Sequence, residues 1–201
     1  MPSTFNEYLK SKFIARIFWS RGLGLALKID DYISAGCIGA VFRATETSSR
    51  RPFAAKVVLK TPSWRQETVF HDLLSAHPNI ITLYDVIEYE NFGLLILDYC
   101  DGLDLHHSVH DSPAFAGNTE AIKHVFLQII DAVQYCHENN VYHRDLKLQN
   151  VLYDPHTRQV FLTDFGVSTN QSWSAEHRTG TVRSMSPGEF QIDLPLKSQS
   201  F

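Results

Sequence analysis

His143-Arg144-Asp145-Leu146-Lys147-Leu148-Gln149-Asn150 lies between a long helical pattern and the β-like run Val151-Leu152-Tyr153. Moving a phosphoryl group needs a carboxylate to orient a hydroxyl nucleophile, a cation for the moving phosphate, and oxygen ligands for magnesium. Asp145, Lys147 and Asn150 supply those three residue types. A loop closed between flanking apolar residues can aim Asp145 and Asn150 into one cleft.

Two further stretches share this chemistry. Thr163-Asp164-Phe165-Gly166 follows the strand-like Val160-Phe161-Leu162. Its carboxylate is a hard oxygen ligand suited to magnesium on nucleotide phosphates, and Gly166 lets the backbone turn beside it. Upstream, Phe53-Ala54-Ala55-Lys56-Val57-Val58 sets one lysine inside an apolar strand. A buried lysine needs a partner, and Glu67 in the next helical segment is the candidate.

Around these motifs the chain changes texture. Phe5, Tyr8, Leu9, Phe13 and Ile17 recur at helical spacing, so residues 1–28 read as an N-terminal extension forming one amphipathic helix packed on its own domain, the alternatives being a helix on a membrane surface or a targeting segment. Short β-rich runs follow as far as Asp98, interrupted by a helix that Ser63 caps and whose face is Phe70, Leu73 and Leu74. After Gly102 the pattern is helical. Ile122, Val125, Phe126, Ile129, Ile130, Val133 and Cys136 form an i, i+3, i+4, i+7 stripe, with Thr119 as cap and Asn139-Asn140 as terminator. The expectation is an α+β fold of two lobes: a β-sheet lobe with one helix at 29–98, and helices from 99 to 187.

Composition narrows the function classes. The chain has 201 residues, 44% hydrophobic, with Lys+Arg 18 against Asp+Glu 22. Those are globular proportions, and a net charge of -4 gives no general attraction for nucleic acid or anionic membranes. Cys37, Cys100 and Cys136 are widely spaced, unlike a disulfide scaffold, so an intracellular protein, cytoplasmic or nuclear, is expected. No apolar run reaches the roughly 18 residues of a transmembrane segment.

Together these residues resemble the eukaryotic protein kinase family, of Ser/Thr and fungal type, from about Ile33 to Pro187. The resemblance implies a protein kinase fold that transfers the γ-phosphate of Mg-ATP to Ser/Thr hydroxyls of protein substrates. It implies that Asp145 is the catalytic base and that Lys147 marks a serine/threonine kinase. Lys56 would be the phosphate-binding lysine with Glu67 as its partner, and Asn150 with Asp164 the Mg2+ ligands. It further implies an ATP pocket of Ile33, Val41, Ala54, Leu97 and Leu152, backbone contacts from Asp98 and Cys100, and a ribose contact at Asp104. Thr181 would line the acceptor site, and Ser172, Ser174 and Thr179 are candidate phosphorylation sites, with Arg144 able to pair with a phosphate.

Three features depart from the family. The phosphate-covering loop reads Ser34-Ala35-Gly36-Cys37-Ile38-Gly39, so Gly36 and Gly39 are present but the first glycine is not. The linker from Lys56 to Glu67 is short. Gly188 stands where a glutamate is expected after Met185-Ser186-Pro187, residues 188–201 are a divergent tail, and the later helices of the family are missing. The expectation is therefore a C-terminally truncated kinase with an incomplete C-terminal lobe. The alternatives are a non-catalytic kinase-like module that binds ATP or a protein partner, and a small-molecule phosphotransferase. His106-His107-x-x-His110 superficially suggests a metal site, but further ligands in order are wanting and the expected reading is an exposed helix.

Overall fold

A computed structural model of the chain describes residues 2–35, 39–62, 64–111 and 114–171. Gly36, Cys37, Ser63, Ser172, Ser174, Thr179, Thr181 and the stretch 185–201 lie outside them. Helix α1 (Pro2–Phe13) precedes β1 (Ile17–Ser20), β2 (Leu25–Ala35), β3 (Gly39–Glu46) and β4 (Pro52–Leu59). Helix α2 (Trp64–Leu74) leads to β5 (Leu83–Glu88) and β6 (Phe92–Asp98). Then come β7 (Leu103–Asp104), α3 (Leu105–Asp111), α4 (Thr119–Glu138), a single 3-10 turn at Leu148–Asn150, β8 (Val151–Asp154) and β9 (Gln159–Leu162).

The first lobe is one antiparallel sheet in the order β1-β2-β3-β4-β6-β5. Alternation along β4 divides its two faces. Ala55 and Val57 join Leu9, Phe13, Phe42 and Ile96 on the outer face, under α1, while Ala54 and Val58 pack toward Leu95 and Leu97 on the other. Leu27, Ile29, Phe42 and Phe53 are fully buried, so this face is a core in its own right.

The N-terminal helix is shorter than its spacing suggests. It ends at Phe13 because Ala15 takes a left-handed conformation (φ 65°), and Ile17-Phe18-Trp19 then pairs as a strand with Ala26–Lys28. Ile17 is exposed and takes no part in the helix face, whose buried members are Leu9 and Phe13.

The buried side of α2 is Trp64, Glu67, Phe70, His71 and Leu74; Leu73, expected on it, is half exposed. Gly93 seats the start of this helix, since a Cβ there would collide with the Trp64 ring.

A second sheet, β7-β8-β9, carries the motif loops. It is tied to the first lobe through the connection after α2: Ile81 N–H donates to Leu162 O at 3.0 Å, and Leu162 N–H to Asn79 O at 2.8 Å. The Asn79 side chain donates to Gln128 Oε1 (2.7 Å) and Val160 O (2.9 Å), fastening α4 to β9. The cap of α4 is Asn118, one residue before the expected Thr119. Its side chain accepts from Ala121 N–H, and Asn139 closes the other end. Only part of the α4 stripe is covered by the described residues. Val125, Ala132 and Cys136 are buried, whereas Ile122, Phe126 and Ile130 stand exposed.

Candidate active site

Strand β4 and helix α2 bring Lys56 and Glu67 together across the short linker. Lys56 Nζ lies 3.0 Å from Glu67 Oε1 and 2.8 Å from Asp164 Oδ1. Burial disfavours the ammonium, but the two carboxylates outweigh it and raise the Lys56 pKa above its ordinary value. Burial likewise pushes the Asp164 carboxyl up, and the lysine more than reverses this, holding it below the usual 3.8. Lys56 and Asp164 therefore stand as a charged pair at neutral pH.

Asp164 sits at φ 67°, a left-handed conformation rare outside glycine and stored here at the motif turn. The turn is held by Phe165, fully buried between the rings of His71 (centroids 5.1 Å apart) and His143 (5.0 Å). Both histidines are pushed toward neutrality by burial, His71 from 6.5 to about 4. His71 Nε2 meets Ile81 O at 2.8 Å, and His143 Nε2 meets Thr163 O at 3.0 Å. A carbonyl only accepts, so each ring carries its proton on Nε2. His143 Nδ1 is then the acceptor for Asp145 N–H at 3.3 Å. His71 was not singled out in the sequence; the only signal was its place one turn after Glu67 on the buried face of α2.

The catalytic-loop motif closes on itself. Asn150 Nδ2 donates to Asp145 O (2.9 Å) and Asp145 Oδ2 (3.0 Å), and Lys147 Nζ donates to the same Oδ2 at 2.6 Å. Thr163 N–H donates to Asn150 O at 3.0 Å, which sets this loop beside the Asp164 turn. Arg144 at φ 65° turns the chain so that Asp145 faces this network. Asp145 and Asn150 are both buried.

The remaining expected residues lie on the neighbouring strands. Ala54 is paired with Leu97, and both belong with Cys100 and Leu152 to one apolar cluster. Val41 is half-buried opposite Lys56 and Ser34, and Gly39 opens β3 so close to Val57 O that a Cβ would collide with it. Ile33 is less enclosed, 47% exposed near the end of β2. Asp98 N–H is committed to Thr82 O at 2.9 Å, so of its backbone groups only the carbonyl can meet a base. Asp104 is held opposite Leu152 and caps α3, accepting from His107 N–H at 2.9 Å. Burial pushes the thiols of Cys100 and Cys136 up to about 12, so both are inert.

Comparison with known proteins agrees with this arrangement. The protein kinase domain matches residues 27–191. The chain is 35% identical over 172 residues to the "Negative regulator of sexual conjugation and meiosis" of Schizosaccharomyces pombe, covering 82% of this chain and 37% of that protein. It is 33% identical over 126 residues to "Serine/threonine-protein kinase KSP1" of Saccharomyces cerevisiae (63% of this chain, 12% of that protein). It is 32% identical over 148 residues to "NUAK family SNF1-like kinase 1" of Homo sapiens (70% and 22%). The chain thus spans well under half the length of these relatives. With a β lobe bearing Lys56 and Glu67, a closed loop at Asp145 and a turn at Asp164, all inside the matched residues, the chain belongs to the protein kinase family and is of the serine/threonine type.

Proposed function

We propose that this chain transfers the γ-phosphoryl group of Mg-ATP to Ser or Thr hydroxyls of protein substrates. The observation that carries this reading is that Lys56 joins Glu67 and Asp164 while Asp145, Lys147 and Asn150 close one network, the two groups set side by side by the Thr163–Asn150 backbone hydrogen bond. The Asp145 carboxylate would accept a hydrogen bond from the acceptor hydroxyl and take its proton as the oxygen attacks phosphorus. Lys147, already 2.6 Å from that carboxylate, would balance charge on the moving phosphoryl. Lys56 would reach phosphate oxygens while Glu67, 5% exposed, keeps it in place. The apolar cluster of Ala54, Leu97 and Leu152, together with Val41 and Ile33, would supply the apolar surface that an adenine ring requires.

The donor set fits magnesium. Asn150 uses Nδ2 on Asp145, leaving Oδ1 as its acceptor end, and Asp164 is a carboxylate, so two hard oxygens are available. When bound, magnesium would neutralise phosphate charge and orient the chain of phosphates. Among the described residues no helix is long and apolar enough to cross a membrane.

The test is phosphate transfer from labelled ATP to a generic basic protein by the wild type and Asp145→Asn. Loss of transfer in the variant with nucleotide binding retained supports the reading; transfer that survives the substitution rejects it. The exposed Ile122, Phe126 and Ile130 on α4 favour a second reading, a non-catalytic module that meets a partner there. Any Asp145-dependent turnover by the wild type excludes that reading.

A further inference from the structure

The three histidines on α3 do not stand alone. Asp104, His106 and His107 each place one ligating atom within 4.8 Å of the other two. Asp104 Oδ2 is 2.7 Å from His107 Nδ1, and the His106 ring lies edge-on to His107 at 5.5 Å between centroids. His110 stacks on His106 at 4.6 Å, one helical turn on, and its Nδ1 meets His106 O at 2.8 Å, which steadies the backbone that carries the group. The carboxylate that the sequence pattern lacked is supplied from β7.

From this geometry we propose that Asp104, His106 and His107 form a binding site for a divalent transition metal of the zinc class, and that metal and nucleoside compete for Asp104. Zinc takes imidazole nitrogen and carboxylate oxygen at about 2.0–2.2 Å, which puts tetrahedral ligands about 3.4 Å apart. The observed span brackets that spacing, and these partly exposed side chains reach it by rotation about their own χ angles. Imidazole favours zinc, copper or nickel over magnesium, so this site is chemically distinct from the oxygen donors at Asn150 and Asp164. Three protein ligands leave a fourth position for water.

The consequence for the cleft follows from Asp104 itself. It is fixed opposite Leu152, whose side chain packs in one apolar cluster with Ala54 and Leu97. A carboxylate drawn onto a metal with His106 and His107 is withdrawn from a ribose hydroxyl. The competition clause rests on the proposed role of Asp104 toward the nucleotide; the metal site does not.

Titration of the full chain with Zn2+ by calorimetry, and with Co2+ by visible absorption, reads the site directly. One saturable equivalent is expected, weakened at least about tenfold in His106→Gln and in His107→Gln and unchanged in His156→Gln, an exposed histidine on the β8–β9 turn outside the trio. Absence of a saturable site, or one untouched by both substitutions, overturns the proposal. Adenosine, which has no phosphates to chelate metal, then reads the competition. Its affinity should fall with saturating Zn2+ in the wild type and not in His106→Gln. Metal binding that leaves adenosine affinity unchanged overturns the competition. If adenosine fails to bind with or without metal, the nucleotide reading of the cleft fails, and the Co2+ result alone decides the metal site.

Discussion

Replacing Lys56 by Met leaves Glu67, 5% exposed, and Asp164, 46% exposed, facing each other without their shared cation. Removing one partner of a buried ion pair costs about 3–5 kcal/mol. Asp164 is half in water and screened, so the lower end, about 3 kcal/mol at pH 7, is the working figure. For a chain of this size that is a fall in Tm of about 6–12 °C.

The pH dependence is diagnostic. The Asp164 carboxyl is depressed below 3.8 in the fold, so its contribution is present above that value and is lost as pH falls through the folded pKa. Lys56 is raised above 10.5, and its contribution is present below that value and lost only in strong base. The gap between wild type and Lys56→Met should therefore be full at pH 7 and narrow below about pH 5 as Asp164 protonates. Urea unfolding at both pH values, with Glu67→Gln as a milder control costing about 1–2 kcal/mol, measures it. A gap under about 0.5 kcal/mol at pH 7, or one that does not change in acid, would refute the charged pair.

Two other outcomes follow from the packing. His71 is buried and neutral with its pKa lowered from 6.5 to about 4, so the unfolded chain binds its proton first and stability drops as pH falls from 6.5 toward 4, by about 3 kcal/mol at most. His71→Gln, which can still donate to Ile81 O, should flatten that part of the stability curve; an unchanged slope would show that the ring does not titrate with folding. Gly93→Ala drives a Cβ into the Trp64 ring and should cost about 1–3 kcal/mol in urea unfolding, with partial recovery in Gly93→Ala/Trp64→Leu. A neutral Gly93→Ala would mean that α2 is not seated as described.

Much of the site was legible because its chemistry is written in contiguous motifs. Lys56 stood alone in an apolar strand, and an acid on the next helix was its natural partner; the structure pairs them at 3.0 Å. The strands around Phe42, Phe53 and Leu94 were readable from β-branched and aromatic runs, and the two-lobed α+β architecture followed. What was not legible depends on tertiary contacts. The end of α1 turns on the left-handed Ala15, which no side chain announces, and Leu73 follows the apolar pattern yet faces outward. On α4 the periodicity marks an apolar stripe but not which part of it is covered, hence the buried Val125 beside the exposed Phe126. The buried role of His71 and the Asn79–Gln128 tie join distant segments and leave no local pattern to read.

The central claim is that Lys56, Asn150 and Asp164 make one competent Mg-nucleotide cleft in this chain. Thermal unfolding of the full chain with and without Mg-ATP tests fold and site together, since a ligand at 100 times its Kd adds about 2.7 kcal/mol, or roughly 5–11 °C here. The prediction is one cooperative transition that rises with Mg-ATP in the wild type and fails to rise in Asp164→Asn. A transition indifferent to Mg-ATP, or an equal rise in the variant, would contradict it.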